Sequence, residues 1–170
     1  TQQAQTTQAA PTEQPTPEPD LVQQLLEEMT LEQKVGQLFL VRPDSLDLSQ
    51  TQDQINDAKA DGVTELTDAM RQTLAEYPVG GVVIFGKNLE SPQQIAQFLD
   101  DLQQASDTPL FTAIDEEGGL VARLANNAAF DLPQYESAAA VGTSGNPEDA
   151  RAMGRTIGGY LKEYGFNLDF

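Results

Sequence analysis

No cysteine and no histidine occur anywhere in the 170 residues. The first absence excludes disulfides, zinc–thiolate sites, iron–sulfur clusters and thiol catalysis within the chain. The second removes the commonest neutral-pH general base, and with it any triad built on imidazole. Cations are scarce as well. Nine Lys and Arg stand against 27 Asp and Glu, a formal net charge of −18. Nucleic acid does not suit that balance, because phosphate binding needs clustered cations that displace counterions. An anionic membrane surface is disfavoured for the same reason. No apolar run approaches the ~20 residues of a membrane-spanning helix. What remains for chemistry is carboxylates, a few cations, hydroxyls and backbone amides. The length suits one domain of roughly 100–200 residues, enough to bury a real core.

Residues Thr1 to Asp20 contain only Thr, Gln, Pro, Ala, Glu and Asp, with Pro at 11, 15, 17 and 19. Nothing there can be buried, so the segment reads as a disordered, partly extended linker. A polar stalk of this kind follows a removed signal peptide or a lipid-anchor site. Trimming of a longer sequence leaves the same thing. The expected location is extracellular or in the cell envelope, with the linker as a tether.

Order is expected from Leu21, where Leu21, Val22, Leu25, Leu26 and Met29 recur at helical spacing. Thr30-Leu-Glu-Gln33 is a capping box that opens a second short helix to about Gly36. Leu38 to Val41 reads as a buried strand stopped by Pro43. Residues 44 to 62 are polar and read as a surface insertion. Leu66, Ala69, Met70, Thr73 and Leu74 then mark a helix. The near-continuous apolar run from Gly80 to Phe85 marks a strand covered on both faces. Ser91-Pro92-Gln93-Gln94 starts a helix with core stripe Ile95, Phe98, Leu99 and Leu102. Pro109 to Ile114 is another apolar strand. Asn146-Pro147 caps a long helix with stripe Ala150, Met153, Ile157, Leu161 and Tyr164, closed by Gly165. Residues 166 to 170 read as a strand starting.

Strands and helices alternate, which calls for a parallel sheet with right-handed crossovers. An open doubly wound sheet and part of a (β/α)8 barrel both fit. About 150 ordered residues favour the open sheet, since a whole barrel takes about 250. A final apolar strand that has only begun favours a cut barrel instead.

The segment with the most chemistry is Ala113-Ile114-Asp115-Glu116-Glu117-Gly118-Gly119-Leu120-Val121-Ala122-Arg123. An acid ends a buried strand, two glycines turn the backbone, and Arg123 follows eight positions later. Ligands of parallel α/β folds sit at such strand ends. A carboxylate there can accept two sugar hydroxyls, and glycines let the backbone approach a ring. The bland alternative is a solvated acidic turn with Arg123 paired to a neighbour. Gly80-Gly81 and Gly158-Gly159 are expected to permit close packing, because no phosphate-loop or dinucleotide fingerprint accompanies them. No cofactor and no metal site is implied, and no EF-hand-like spacing occurs.

The run Ile114 to Arg123 resembles the Asp-x-Glu-Gly-Gly-x-Val-x-Arg motif of family 3 glycoside hydrolases, in the bacterial β-N-acetylhexosaminidase branch. Met29 to Phe39 resembles that family's opening helix. Val79 to Asn88 resembles its second conserved strand and loop. Met153-Gly154 through Phe170 resembles the helix leading to the next strand. Together these stretches cover about residues 25 to 170. The family's β-glucosidase branch usually has a different Asp loop. The resemblance implies an α/β fold, the N-terminal part of a (β/α)8 TIM barrel, with β-linked N-acetylglucosamine as the carbohydrate substrate. It makes Asp115 a holder of sugar hydroxyls in the −1 subsite and Arg123 the residue that fixes the loop, both counted as substrate-binding. Leu120 departs from the pattern, standing where an Arg commonly follows the two glycines.

In this family the nucleophile is an Asp on a late barrel strand, and the hexosaminidase branch draws its acid/base from a mobile-loop His. Neither is among these residues, so no catalytic residue is assigned and no turnover is expected of the chain alone. Pairing with a C-terminal part would supply them. The rival reading is a non-catalytic sugar-binding or interaction half-barrel, whose open sheet edge would need cover.

Overall fold

The computed structural model describes residues 20–170. The expected linker lies outside them, except for Asp20. That residue N-caps the first helix, α1 (Leu21–Glu28), accepting from the backbone N–H groups of Val22 and Gln23. The Thr30/Gln33 capping box is present and opens α2 (Leu31–Gly36). Strand β1 is only Leu40–Val41. Leu38 and Phe39 are exposed, which shortens the expected buried strand by half. Their N–H groups are taken by the carbonyls of Val35 and Gly36, so the chain is still turning out of α2 there.

Residues 43 to 66 are more than a surface insertion. A 3-10 turn over Pro43–Leu46 and the short helix α3 (Gln52–Asn56) send Asp44, Leu46 and Ile55 into the interior. Then come α4 (Asp68–Glu76), β2 (Gly81–Ile84), α5 (Pro92–Ala105) and β3 (Phe111–Ile114). The chain closes with α6 (Ala138–Gly142), α7 (Pro147–Tyr164) and β4 (Leu168–Asp169).

The four strands lie side by side in the order β1-β2-β3-β4, every neighbouring pair parallel. A doubly wound sheet reverses its order beside the first strand. Here each crossover steps to the next position on the same side, which is the winding of a (β/α)8 barrel. The fold is therefore α/β and barrel-type.

Strand pleating divides the residues between two faces. Val82, Ile84 and Ile114 point to the helix layer, where Met70 and Leu74 of α4, Phe98 and Leu102 of α5, and Ile157 and Leu161 of α7 meet them. Burying a side chain such as Phe98 is worth about 2–3 kcal/mol, so this seam dominates the stability. The α5 stripe is as the sequence predicts. On α7 Ala150 is exposed, and Tyr160 is buried instead. On the opposite face of the sheet Phe111 stays exposed.

Gly80 and Gly81 are needed for contact: a Cβ on Gly81 would strike the Phe111 carbonyl, and one on Gly80 the Gln37 carbonyl. Gly158 and Gly159 have open space around them, so the packing expectation fails for that pair.

Candidate functional site

Alternation continues past the end of β3. Ile114 is buried against the helices, Asp115 turns toward the open mouth of the sheet, and Glu116 turns back inside. Arg123 Nη2 donates to Asp115 Oδ2 at 2.8 Å. Both side chains keep about a quarter to a third of their surface open. The sequence places both residues on one loop, with a pairing of Arg123 to some neighbour as the bland alternative; the neighbour it takes is Asp115.

The loop between them is held by its backbone. Gly118 and Gly119 have φ of +83° and +69°, a region costly for residues with a Cβ. A one-rung antiparallel bridge joins Gly118 to Val121. Gly119 N donates to Tyr135 O at 2.9 Å, and Asn126 Nδ2 donates to Gly119 O at 2.8 Å. Leu120, 99% exposed, has no part in this. The arginine it replaces is not required to anchor the turn.

Neighbouring strand ends converge on the same place. The Arg123 guanidinium lies 5.6 Å from the centroid of the Phe85 ring, at the end of β2. Arg42, at the end of β1, lies 4.4 Å from that centroid. Such guanidinium–ring contacts are each worth roughly 0.5–1 kcal/mol where solvent reaches them. The Phe85 ring thus gives the guanidinium held by Asp115 a second contact.

Behind this layer is a buried ion pair. Asp44 is fully buried, and its Oδ1 accepts from Lys87 Nζ at 3.2 Å and from Val63 N at 3.1 Å. Its Oδ2 accepts from Asn88 Nδ2 at 3.0 Å. Lys87 Nζ also donates to the carbonyls of Gln54 and Ile55 at the end of α3. Every charged atom of the pair thus has partners, the condition under which burial of charge is tolerated. The network ties residues 43–66 to the loop after β2.

Glu116 is also fully buried. Its Oε2 accepts from Leu124 N at 2.8 Å, and its Oε1 from Ala125 N and Tyr160 Oη, both at 2.9 Å. Its own N–H donates to Asp169 Oδ1 at 2.9 Å. Burial, and then the hydrogen bond and charge of Glu116, hold the Tyr160 hydroxyl well above the ordinary tyrosine range. Burial also raises the Asp169 carboxyl above the usual value. The bond from Glu116 N works against this rise, and the charges of Glu116 and Asp115 add to it.

Glu116, Asp44, Lys87, Asn88 and Tyr160 were not assigned roles from the sequence. The signal for three of them was present: Asp44, Lys87 and Asn88 all follow the end of a parallel strand, where loops converge. Among the described residues no group of three or more His, Cys, Asp or Glu side chains could hold a metal ion.

The sequence profile described as "Glycosyl hydrolase family 3 N terminal domain" matches residues 30–170. The chain belongs to this family. A beta-hexosaminidase A of Pseudoalteromonas piscicida is 31% identical over 113 residues, 64% of this chain and 19% of its own length. A beta-hexosaminidase of Thiobacillus denitrificans is 32% identical over 111 residues, 63% of this chain and 30% of its own. A solved family 3 beta-N-acetylglucosaminidase of Paenibacillus sp. superposes with a TM-score of 0.65 at 32% identity, covering 84% of this chain and 24% of that one. The chain thus spans less than a third of each of these relatives. As a family 3 member it shares the barrel architecture that its strand order independently indicates.

Proposed function

We propose that residues 20–170 form one wall of the sugar site of a β-N-acetylhexosaminidase that removes terminal β-linked N-acetylglucosamine. The observation that carries this reading is the Asp115–Arg123 pair, presented on a double-glycine loop at the carboxyl end of a parallel strand. Asp115 Oδ2 is occupied by Arg123, which leaves Oδ1 as the acceptor for a sugar hydroxyl. A guanidinium beside it keeps the carboxylate aimed. The names of the relatives support the sugar class, and the strand-end loop of this chain supports the position.

Hydrolysis by this route places water's OH on the anomeric carbon and its proton on the departing oxygen. It takes a nucleophile and an acid/base group beyond these two residues; in the usual retaining design they are two carboxyls about 5–5.5 Å apart, and the resemblance puts a loop His in the place of the second. Asp115 and Arg123 are assigned to binding alone, so the reacting groups are proposed to come from a C-terminal part that completes the barrel. The Thr-, Gln- and Pro-rich start of the sequence supports an exported, tethered protein.

Titration of the 170-residue chain with N-acetylglucosamine, followed by amide NMR, tests the reading. Millimolar binding with shifts centred on Asp115 to Arg123, lost in Asp115→Ala, is the expected result. The same chain should not hydrolyse a chromogenic N-acetylglucosaminide. Saturable sugar binding that survives in Asp115→Ala, or shifts elsewhere on the surface, would overturn it.

A further inference from the structure

The contact between Arg123 and Asp115 is a single hydrogen bond between a long side chain and a short one. Its geometry therefore depends on where the backbone of residue 123 is held. The Arg123 N–H itself reaches the Asp115 carbonyl only at 3.3 Å. The next two N–H groups, of Leu124 and Ala125, both point at the two oxygens of Glu116, at 2.8 and 2.9 Å. Two consecutive amides aimed at one carboxyl group form a clamp, and hydrogen bonds to a carboxylate are among the stronger ones.

The clamp is itself held from two elements. Tyr160 Oη, on α7, donates to Oε1. Asp169 Oδ1, on β4, accepts the Glu116 N–H. Glu116 follows Asp115 directly, so the acid that faces the ligand and the one that fixes its partner share a peptide bond. A buried leucine would fill the same volume, but it would leave Leu124 N–H, Ala125 N–H and Tyr160 Oη without acceptors, each costly to bury.

We infer that Glu116 is the positioning residue of the Asp115–Arg123 pair: it sets the return of the loop at Leu124 and Ala125, and through it the place where the Arg123 guanidinium meets the sugar-facing carboxylate. The consequence for sugar affinity rests on the proposed function; the positioning of Arg123 does not.

The test uses the 170-residue chain and follows the Arg123 side-chain N–H signals by NMR, assigned by their loss in Arg123→Lys. Amide exchange at Leu124 and Ala125 and titration with N-acetylglucosamine are read on the same samples. Glu116→Ala should move the Arg123 signals to the position they take in Asp115→Ala, remove protection at both amides, and weaken sugar binding at least tenfold. Glu116→Gln keeps an acceptor for Ala125 and Tyr160 but turns an amide N–H₂ toward Leu124. It should therefore deprotect Leu124 alone and shift Arg123 part of the way. Tyr160→Phe leaves both backbone bonds and should leave the Arg123 signals in place. Ile95→Val, a core change far along the chain from the loop, controls for lost stability and should move none of these readouts. Arg123 signals unchanged in Glu116→Ala would overturn the inference. Should that variant not fold, unchanged Leu124 protection and Arg123 signals in Glu116→Gln would overturn it instead. If the unsubstituted chain binds no sugar, the sugar-site reading fails, while the Arg123 signals still decide the role of Glu116.

Discussion

Arg123 donates to Asp115 across 2.8 Å although they stand eight positions apart, because two left-handed glycines fold the loop back on its own starting point. Both side chains are partly open to solvent, and exposed pairs of this kind contribute about 0–1 kcal/mol to folding. Arg123→Ala should therefore barely move a urea midpoint, while N-acetylglucosamine affinity falls about tenfold, roughly 1.4 kcal/mol. Parallel losses of stability and affinity, measured on the same sample, would count against a binding role.

Asp44 and Lys87 make the opposite case. Their side chains are 0% and 6% exposed, and each also bonds to backbone. Removing one partner leaves the other charge buried, which costs about 3–5 kcal/mol. Asp44→Ala and Lys87→Met should each lower unfolding free energy by that order in urea titrations. The double variant Asp44→Leu/Lys87→Met should cost clearly less than the sum. Strict additivity would mean that the two groups do not depend on each other.

Glycines at two positions should respond with opposite sign. A Cβ at Gly119 would sit 2.7 Å from the Glu136 carbonyl, on a backbone with φ of +69°. Gly119→Ala should destabilise by at least about 1–2 kcal/mol. Gly158 lies in α7 with open space around it, and Gly158→Ala should stabilise by roughly 0.5–1 kcal/mol. Thermal denaturation of the two variants gives the comparison directly.

Asp169 carries a pH signature. Its carboxyl is raised in the fold, so between the ordinary aspartate value near 3.8 and the folded value the native state binds the extra proton. Stability from this group is present below 3.8 and falls as pH rises through the folded value. Asp169→Asn keeps an oxygen for Glu116 N–H and removes that slope. The variant should therefore gain stability relative to the unsubstituted chain as pH rises from 3.5 to 7, and the difference should shrink again in acid. A pH-independent difference would mean that the raised value has another origin.

The fold was legible wherever periodicity was strong. The α5 stripe and the apolar runs before Phe85 and Ile114 fall where pattern places them, because each is decided by burial of its own residues. The β1 boundary was not legible, since Leu38 and Phe39 look like strand but are still bonded back to α2. Asp44 was read as surface because a lone acid in a polar stretch gives no hint of a lysine 43 positions later. The same limit applies to Glu116. It stands between two other acids, and what distinguishes it is three donors from residues 8, 9 and 44 positions away. Asp115 and Arg123, by contrast, stood out because one strand-end loop carries both, although their pairing with each other was not read from the sequence.

Asp115 and Glu116 differ in role only by the parity of their positions after β3. The pleat sends one outward and the next inward, so the sheet register assigns the two tasks more than the side chains do. One residue inserted between Phe111 and Ile114 would transpose them, presenting the longer glutamate to the mouth and drawing the aspartate into a clamp it is too short to fill. The length of β3 is thus under a constraint of its own. In this segment a substitution would be easier to accommodate than a single insertion or deletion, even one that preserved every apolar residue.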